Sequence, residues 1–180
     1  MRDWRCIRRT LGPLGFVIVG ALALVAVPTA LAAKPIRTVL EQPPPSVIPA
    51  GQGCSFDVGE QAGEGMTTLT EFSDGRTVIH VNADPILTNL ETGDTFVQRA
   101  RAKVTDTVDA QANEIVEEIS GQVFVSFLPG DQGPSGVVEE PGALLSIIGH
   151  QRLTFDADTF VLTSYSLNGK ATDICAQLSA

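Results

Sequence analysis

Two cysteines are the side chains in the body of the chain best suited to covalent chemistry. Cys54 and Cys175 could each act as a nucleophile, a metal ligand, a lipid attachment point or half of a disulfide. A zinc site would need four ligands, and the chain adds only two separated histidines, His80 and His150. A cysteine nucleophile would leave the second cysteine unexplained. If the chain is exported, the pair predicts a Cys54–Cys175 disulfide.

The other polar residues do not have the spacing of a known catalytic or metal-binding motif. His80 and His150 would need a nucleophile or a carboxylate brought close to them in space. The chain contains no Gly-x-Ser-x-Gly, His-Glu-x-x-His or phosphate-binding glycine motif. Asp156 and Asp158 offer oxygen ligands for calcium, but a hairpin turn accounts for both. The sequence therefore predicts no catalytic residues, no metal site and no cofactor.

The N-terminal segment has the layout of a secretory signal peptide. Its positively charged start holds Arg2, Arg5, Arg8 and Arg9. An apolar run follows over 14–27, and Ala30-Leu31-Ala32 then supplies a small-x-small cleavage site. We expect residues 1–32 to be removed and the protein to be secreted or held in the cell envelope. An uncleaved membrane anchor is the alternative, and Arg8-Arg9 leaves twin-arginine export open.

Cys6 and the charge balance complete the prediction of export. Cys6 precedes the apolar run, whereas the lipid-bearing cysteine of a lipoprotein would follow it, so we expect no lipid anchor at Cys6. Residues 1–32 hold four of the twelve basic residues and one of the 21 acidic ones, so the remainder carries 8 basic and 20 acidic residues, net −12. Nucleic acid and anionic membranes are therefore unfavourable partners, and the acidity favours solubility.

The elements that must position these residues are strands. Residues 33–52 are proline-rich and predict an extended, flexible lead-in. From Gly53 to Ala180, apolar residues alternate with polar ones, and turn signals such as Asp74-Gly75 recur at short intervals. The pattern predicts one all-β domain of about eight antiparallel strands, as an up-and-down barrel rather than a two-sheet sandwich. A short helix is expected around Cys175.

A long break in the strand pattern and a set of charged residues on two strands need separate interpretation. The stretch 129–142 is the longest break, and it is expected to be either a lid over the barrel or a disordered loop. Arg99, Arg101 and Lys103 alternate on one strand, and Glu114 and Glu118 share a face of the next. We interpret these five residues as a cross-strand charge ladder in water, with a charged binding face as the alternative.

Four stretches together resemble a group of small exported actinobacterial proteins of unknown function. They are "CSFDV", "DGR", "LTNLETGDTF" and "LTFDADTFVLTSYSLNGKATDICAQL", and the resemblance covers most of residues 53–178. The shared features are a Cys-x-Phe-Asp-Val strand, a Thr-Asn-Leu-x-Thr-Gly turn and a C-terminal Asp-x-Cys. The resemblance implies export, a β fold and the disulfide, and it implies no activity.

These observations favour an exported, non-enzymatic binding protein. In its most specific version, this hypothesis predicts a barrel that holds a small apolar ligand under the 129–142 loop. The first alternative is a cell-envelope interaction or structural module that acts through its surface, and the second is an enzyme. A hollow interior would favour the barrel ligand, whereas a filled interior would favour the surface module.

Cleavage after Ala32 is directly testable. N-terminal sequencing of the exported protein should begin at Ala33, because the small residues at Ala30 and Ala32 fit the peptidase. A membrane-bound product that still begins with Met1 would show that the segment is an anchor.

Overall fold

The computed structural model describes residues 34–179, which form thirteen strands and one short helix. The predicted signal peptide, residues 1–32, lies outside the described residues. The strands are β1 Ile36–Leu40, β2 Ser46–Ile48, β3 Val58–Gln61, β4 Gly65–Glu71, β5 Thr77–Ala83, β6 Ile86–Asn89, β7 Thr95–Val97, β8 Ala100–Asp109, β9 Glu114–Phe127, β10 Gln132–Gly133, β11 Gly136–Val137, β12 Ala143–Asp156 and β13 Leu162–Asp173, and the helix is α1 Ile174–Gln177. Every strand pairing is antiparallel, which confirms the all-β prediction.

The strands divide into two main sheets and a small hairpin. The larger sheet has the order β1-β4-β5-β8-β9-β12-β13, and the smaller has the order β2-β3-β6-β7. The smaller sheet is built from two insertions into the meander, β2-β3 and β6-β7. The strand count exceeds the expected eight because these short strands form a sheet of their own. Within residues 34–179 no helix is long and apolar enough to cross a membrane.

The proline-rich stretch 33–52 was expected to be a flexible lead-in, and this prediction is wrong for two parts of it. β1 pairs with β4 along Ile36–Leu40, and β2 pairs with β3 along Ser46–Ile48. Three of its prolines, Pro43, Pro44 and Pro45, lie between the two strands, and Pro35 and Pro49 lie just outside them, where no ladder hydrogen bond is needed. The segment is therefore an integral part of both sheets.

Glycines make a sharp bend in the larger sheet possible. Gly121, Gly149 and Gly169 are register partners on β9, β12 and β13, and a Cβ atom on any of them would overlap a neighbouring backbone carbonyl oxygen. The rings of Phe127 and Tyr165 lie edge to face with centroids 5.0 Å apart. Their register partners are ten residues apart on β12, about 33 Å along a straight strand. The sheet must therefore fold back on itself at the glycine row.

The bend produces two hydrophobic cores on opposite faces of the long strands. The face inside the bend, called the inner face below, buries a cluster made of Ile79, Ala102, Val104, Ile119 and Leu153. The opposite, outer face of the β9 and β12 ends packs against the smaller sheet and α1. That second cluster consists of Ile48, Cys54, Phe56, Val58, Leu87, Leu144, Ile174 and Leu178.

The predicted disulfide between Cys54 and Cys175 is present, with Cα atoms 5.6 Å apart. Cys54 and Val58 are buried as the alternation predicted, but the segment before Val58 is a bend rather than the start of a strand. The predicted C-terminal helix is confirmed as α1, and the Asp173 carboxylate caps it by accepting from the backbone N–H groups of Cys175 and Ala176. Closing so long a loop stabilises a chain by about 4–5 kcal/mol in the entropy model.

The stretch 129–142 contains the β10-β11 hairpin, and β10 contacts β13. Two backbone hydrogen bonds hold the hairpin: the N–H of Gly130 donates to the carbonyl oxygen of Val138, and the N–H of Val138 donates to the carbonyl oxygen of Asp131. The spacing of apolar residues in 107–119 also fits the period of a helix. The structure instead places the end of β8, a turn and the start of β9 there.

One turn design occurs three times, beginning at Asn89, Asp109 and Asp156. In each, the side-chain oxygen of the first residue accepts from the backbone N–H groups two and three positions later. The fifth residue has a positive φ: Gly93 at 82°, Asn113 at 56° and Phe160 at 55°. Glycine and asparagine tolerate this conformation, whereas a bulky aromatic residue is strained in it. Phe160 is thus the unfavourable member of the set.

Replacing Phe160 by asparagine should stabilise the protein by about 1 kcal/mol, because it relieves left-handed backbone strain. The reciprocal change, Asn113→Phe, should destabilise it by at least as much, since it also removes the 2.9 Å hydrogen bond from Asn113 to Asp158. Urea denaturation of both variants measures the two effects. A Phe160→Asn variant that is less stable than the wild type would show that the Phe160 ring packs usefully within the chain.

Candidate functional site

The two histidines lie on the outer face of the larger sheet, in the same register row. His80, Lys103, Ser120 and His150 are successive partners on β5, β8, β9 and β12. All four side chains are exposed. The Oγ atom of Ser120 lies 3.0 Å from Nδ1 of His150. The structure thus places a hydroxyl beside one histidine and separates the two histidines by two strands.

The Ser120–His150 pair resembles a nucleophile and its base only in its hydrogen bond. Nucleophilic catalysis also needs a third group to orient the base and donors to stabilise the developing oxyanion. The pair stands on an open sheet face rather than in a cleft. Its neighbours in the next row, Glu118 and Arg152, are joined to each other at 2.7 Å. The geometry therefore supports a polar surface rather than a catalytic centre.

The same outer face gathers most of the positive charge of the chain. Three successive register rows across the larger sheet define what we call the basic face. Its positions are Arg37, Thr70, Val78, Thr105, Glu118, Arg152 and Ser166, then Val39, Thr68, His80, Lys103, Ser120, His150 and Asn168, then Met66, Asn82, Arg101, Gln122, Ile148 and Lys170. Five of the eight basic residues outside 1–32 lie there, together with both histidines and a single acid. All five cations are exposed.

Two of these cations are paired, and the pairing corrects the predicted charge ladder. Arg101 contacts Asp84 at 2.7 Å, and this hydrogen bond lowers the pKa of the Asp84 carboxyl. Arg101 and Lys103 face Gln122 and Ser120 across the strands, not glutamates. The partner of Glu118 is Arg152 on β12.

The remaining members of the predicted ladder lie elsewhere. Arg99 precedes β8, and Glu114 faces Asp109 at the end of the β8-β9 pair. The ladder prediction is wrong because the register of β9 is set by its turn rather than by charge. Lys103 and Lys170 form no ion pair within the part of the chain that the structure describes.

A pair of carboxyl groups lies on the inner face. Asp106 and Glu117 are register partners, and Thr77 on the next strand donates to Asp106 over 3.2 Å. Burial raises the pKa of Glu117 to about 8, and the neighbouring Asp106 charge and hydrogen bond act in the same direction. Burial also raises the pKa of Asp106. The pair holds a proton near neutral pH, because two adjacent carboxylates in a partly buried site repel each other.

A third carboxyl group is buried on the smaller sheet. Glu60 lies beside Ser46, whose hydroxyl donates to it over 3.2 Å. Burial raises the pKa of Glu60, and the hydrogen bond from Ser46 partly offsets the effect. Within residues 34–179, no three His, Cys, Asp or Glu side chains converge as a metal site requires. Asp156, proposed above as a turn residue, has a pKa lowered by the hydroxyl of Thr159.

The space inside the bend is occupied by large side chains of the protein. Gln151 is fully buried, and its amide oxygen accepts from the hydroxyl of Tyr165 over 3.0 Å. Burial raises the pKa of Tyr165 to about 12, so the hydroxyl remains a donor. The ring of Phe127, also fully buried, packs on the ring of Tyr165. This interior is filled where the barrel hypothesis would place a ligand.

A cleft of about 170 Å³ lies beside the disulfide, lined by residues that include Gly53, Pro141, Gly142 and Asp173. The Sγ atom of Cys175 lies 3.1 Å from the carbonyl oxygen of Gly53. The cleft is smaller than the 300–1,000 Å³ that is typical of pockets for small molecules. It therefore provides room for solvent rather than for a cofactor.

Sequence reasoning missed both the carboxyl pair and the extent of the basic face. The signal for the pair was present, since Asp106 interrupts the apolar alternation around Val104 and Glu117 interrupts it before Ile119. The basic face had no such signal, because its cations come from four strands far apart in the sequence.

Comparisons with protein-family models, with curated proteins and with solved structures find no match to this chain. The resemblance to small exported actinobacterial proteins therefore stays a prediction, and the functional argument depends on the geometry alone.

The carboxyl pair predicts how stability depends on pH. Glu117 has a folded-state pKa of about 8, above its unfolded value of 4.5, so the folded protein binds more protons between these values. The free energy of unfolding should therefore fall as pH rises from about 5 to 9. Glu117→Gln should remove at least about 1 kcal/mol of that decline, since one pKa unit corresponds to about 1.4 kcal/mol.

Urea denaturation at several pH values measures this dependence. The matched control is Glu118→Gln, the next residue on the strand, which points to the opposite, solvent-exposed face. It should leave the pH dependence unchanged. Equal slopes for the wild type and Glu117→Gln would contradict a buried, protonated Glu117.

Proposed function

We propose that the protein is an exported interaction module that binds an anionic polymer of the cell envelope through its basic face. The observation that carries this proposal is the segregation of charge. A chain with net charge −12 outside residues 1–32 places five cations and one acid on three rows of a single sheet face. A solvated surface without a partner has no need to concentrate its few cations, since like charges close together are unfavourable.

The arrangement of these cations suits a repeating ligand. Neighbouring strands are about 4.8 Å apart, and alternate residues along a strand are about 6.6 Å apart, so the cations are spread over the open, outer side of the bent sheet. Such an open surface offers each phosphate or carboxylate one weak contact, and affinity grows as a polymer bridges several of them. The arginines can pair in a bidentate manner, whereas Lys103 and Lys170 act as point charges. A single small anion would gain little from such a surface.

The filled interior supports the surface alternative over a ligand inside a barrel. Phe127, Gln151 and Tyr165 occupy the inner face with mutual contacts. The histidines and Ser120 belong to the basic face, where they supply further hydrogen-bonding groups. The disulfide is consistent with an extracytoplasmic location, where an envelope polymer is accessible.

Binding to two defined polymers tests the proposal. Linear polyphosphate and poly-L-glutamate of equal length separate phosphate from carboxylate recognition, and fluorescence anisotropy measures both. Lys103→Glu combined with Lys170→Glu should weaken binding by about tenfold or more, and added salt should weaken the wild type. Both lysines are exposed and unpaired within the described residues, so the fold should not change.

The matched control is Arg76→Glu compared with Lys103→Glu, since each changes the charge by the same amount. Arg76 lies in the β4-β5 turn, outside the three rows of the basic face, where it stacks on Phe72. It should change the affinity by less than about twofold. Equal losses in the two variants, or no binding of either polymer by the wild type at low salt, would overturn the proposal.

A further inference from the structure

We propose that the turn at Phe160 of one copy docks on the basic face of a second copy, so that the protein self-associates head to tail. This inference does not depend on polymer binding. It starts from the repeated turn described above. Gly93 and Asn113 occupy the strained position in two turns, and Phe160 occupies it in the third. The sequence thus keeps an aromatic ring where asparagine or glycine would be more favourable.

The ring of Phe160 is only partly covered by its own chain. Phe160 is 44% exposed, and Val161 beside it is 57% exposed. Strained residues that stay partly exposed are typical of functional positions, and a contact with another molecule is one such function. Two adjacent exposed apolar side chains at the end of a hairpin form a small projecting knob, and aromatic anchors of this kind carry much of the energy of protein interfaces.

The knob is held rigidly and is surrounded by negative charge. The backbone N–H of Ala157 donates to the carbonyl oxygen of Asn113 over 2.9 Å, and Asn113 donates through its side chain to Asp158. The two neighbouring turns, 109–114 and 156–161, therefore form one unit, called the acidic tip below. It carries Asp109, Glu114, Asp156 and Asp158, and it carries no Lys or Arg. A rigid tip loses less conformational entropy when it docks.

The basic face complements the acidic tip in both properties. Ile148 is 54% exposed in the third row of that face, between its register partners Gln122 and Lys170. An exposed apolar side chain beside a lysine, on a surface that carries four further cations, complements an apolar knob with carboxylates around it. Like charges exclude contact between two tips or between two basic faces, so the charge pattern specifies a tip on a face.

The geometry of this contact determines the assembly. The tip and the basic face are different surfaces of the same molecule, so each copy can bind one neighbour through its tip and another through its face. Such contacts generate open chains or rings, and species larger than a dimer distinguish this assembly from a closed dimer in which two copies exchange tips. Only a few side chains take part, so each contact is weak and reversible.

Sedimentation velocity over a range of protein concentrations tests the inference. The wild type should sediment faster as concentration rises, and added salt or polyphosphate should reverse the effect because both compete for the basic face. Phe160→Asn should raise the dissociation constant by about tenfold or more, as expected for loss of a central aromatic anchor. Val137→Asn removes an apolar side chain that is more exposed than Phe160, on the β10-β11 hairpin, and should have no effect.

A mixing experiment separates a tip-on-face contact from contacts between two like surfaces. Phe160→Asn retains a basic face, and the pair Ile148→Glu with Lys170→Glu retains a tip. Neither variant should associate alone, yet their mixture should form one-to-one complexes that grow no further.

Three outcomes overturn the inference. They are a mixture that stays monomeric, equal weakening by Val137→Asn, and a wild type that is monomeric at every concentration. A Phe160→Asn variant whose only defect is weaker binding to phosphatidylcholine vesicles also overturns it, since the tip would then contact lipid. Failure of self-association leaves the anisotropy assay with polymers unaffected, so the two proposals fail separately.

Discussion

The rest of the fold depends on the row of glycines that crosses β9, β12 and β13. At this row the strands approach so closely that any Cβ atom would overlap a neighbouring carbonyl oxygen. Without side chains there, the two longest strands can bend sharply while their pairing continues without a register shift at Gly121 and Gly149. The bend brings Phe127 over Tyr165 and turns one face of the sheet into an interior. Glycine lowers strand stability by roughly 0.5–1 kcal/mol at each site, and the buried face offsets this cost.

The bend also decides which polar groups are buried and which are exposed. Inside it, Asp106 and Glu117 lose solvent and hold a proton, so the interior avoids two full negative charges. Outside it, one end of β9 and β12 is covered by the smaller sheet, and the Cys54–Cys175 disulfide fastens α1 over that end. The three remaining rows have no such layer over their charged side chains and become the basic face. The acidic interior and the cationic exterior are thus two sides of the same strands.

The sequence predicted those parts of the fold that depend on local chemistry. Asp74-Gly75 marked a real turn, and Cys54 and Cys175 form the predicted bond. The alternation of Cys54, Phe56 and Val58 identified buried positions correctly.

Features that depend on the partner of a strand were not predictable in this way. Residues 36–40 looked like a lead-in because nothing local reveals that β4 has a free edge to pair with them. The prediction of the charge ladder was wrong for the same reason, because the sequence of one strand does not determine the register in which it pairs with the next. Arg101, Arg152 and Lys170 share a face only because β8, β9, β12 and β13 align with particular offsets.

The distribution of charge over the fold determines which charged groups can approach each part of the surface. Its acidic groups are spread over the turns and the interior, whereas its cations are concentrated on one sheet face. At a separation of more than about 8 Å in physiological salt, the negative charges of the tip are largely screened from that face. An approaching anionic group therefore experiences the local cations rather than the net charge of the molecule. The overall acidity favours solubility, and the fold still presents a positive surface. A net charge alone, which argued against anionic partners, is thus a poor guide once the register of the strands is known.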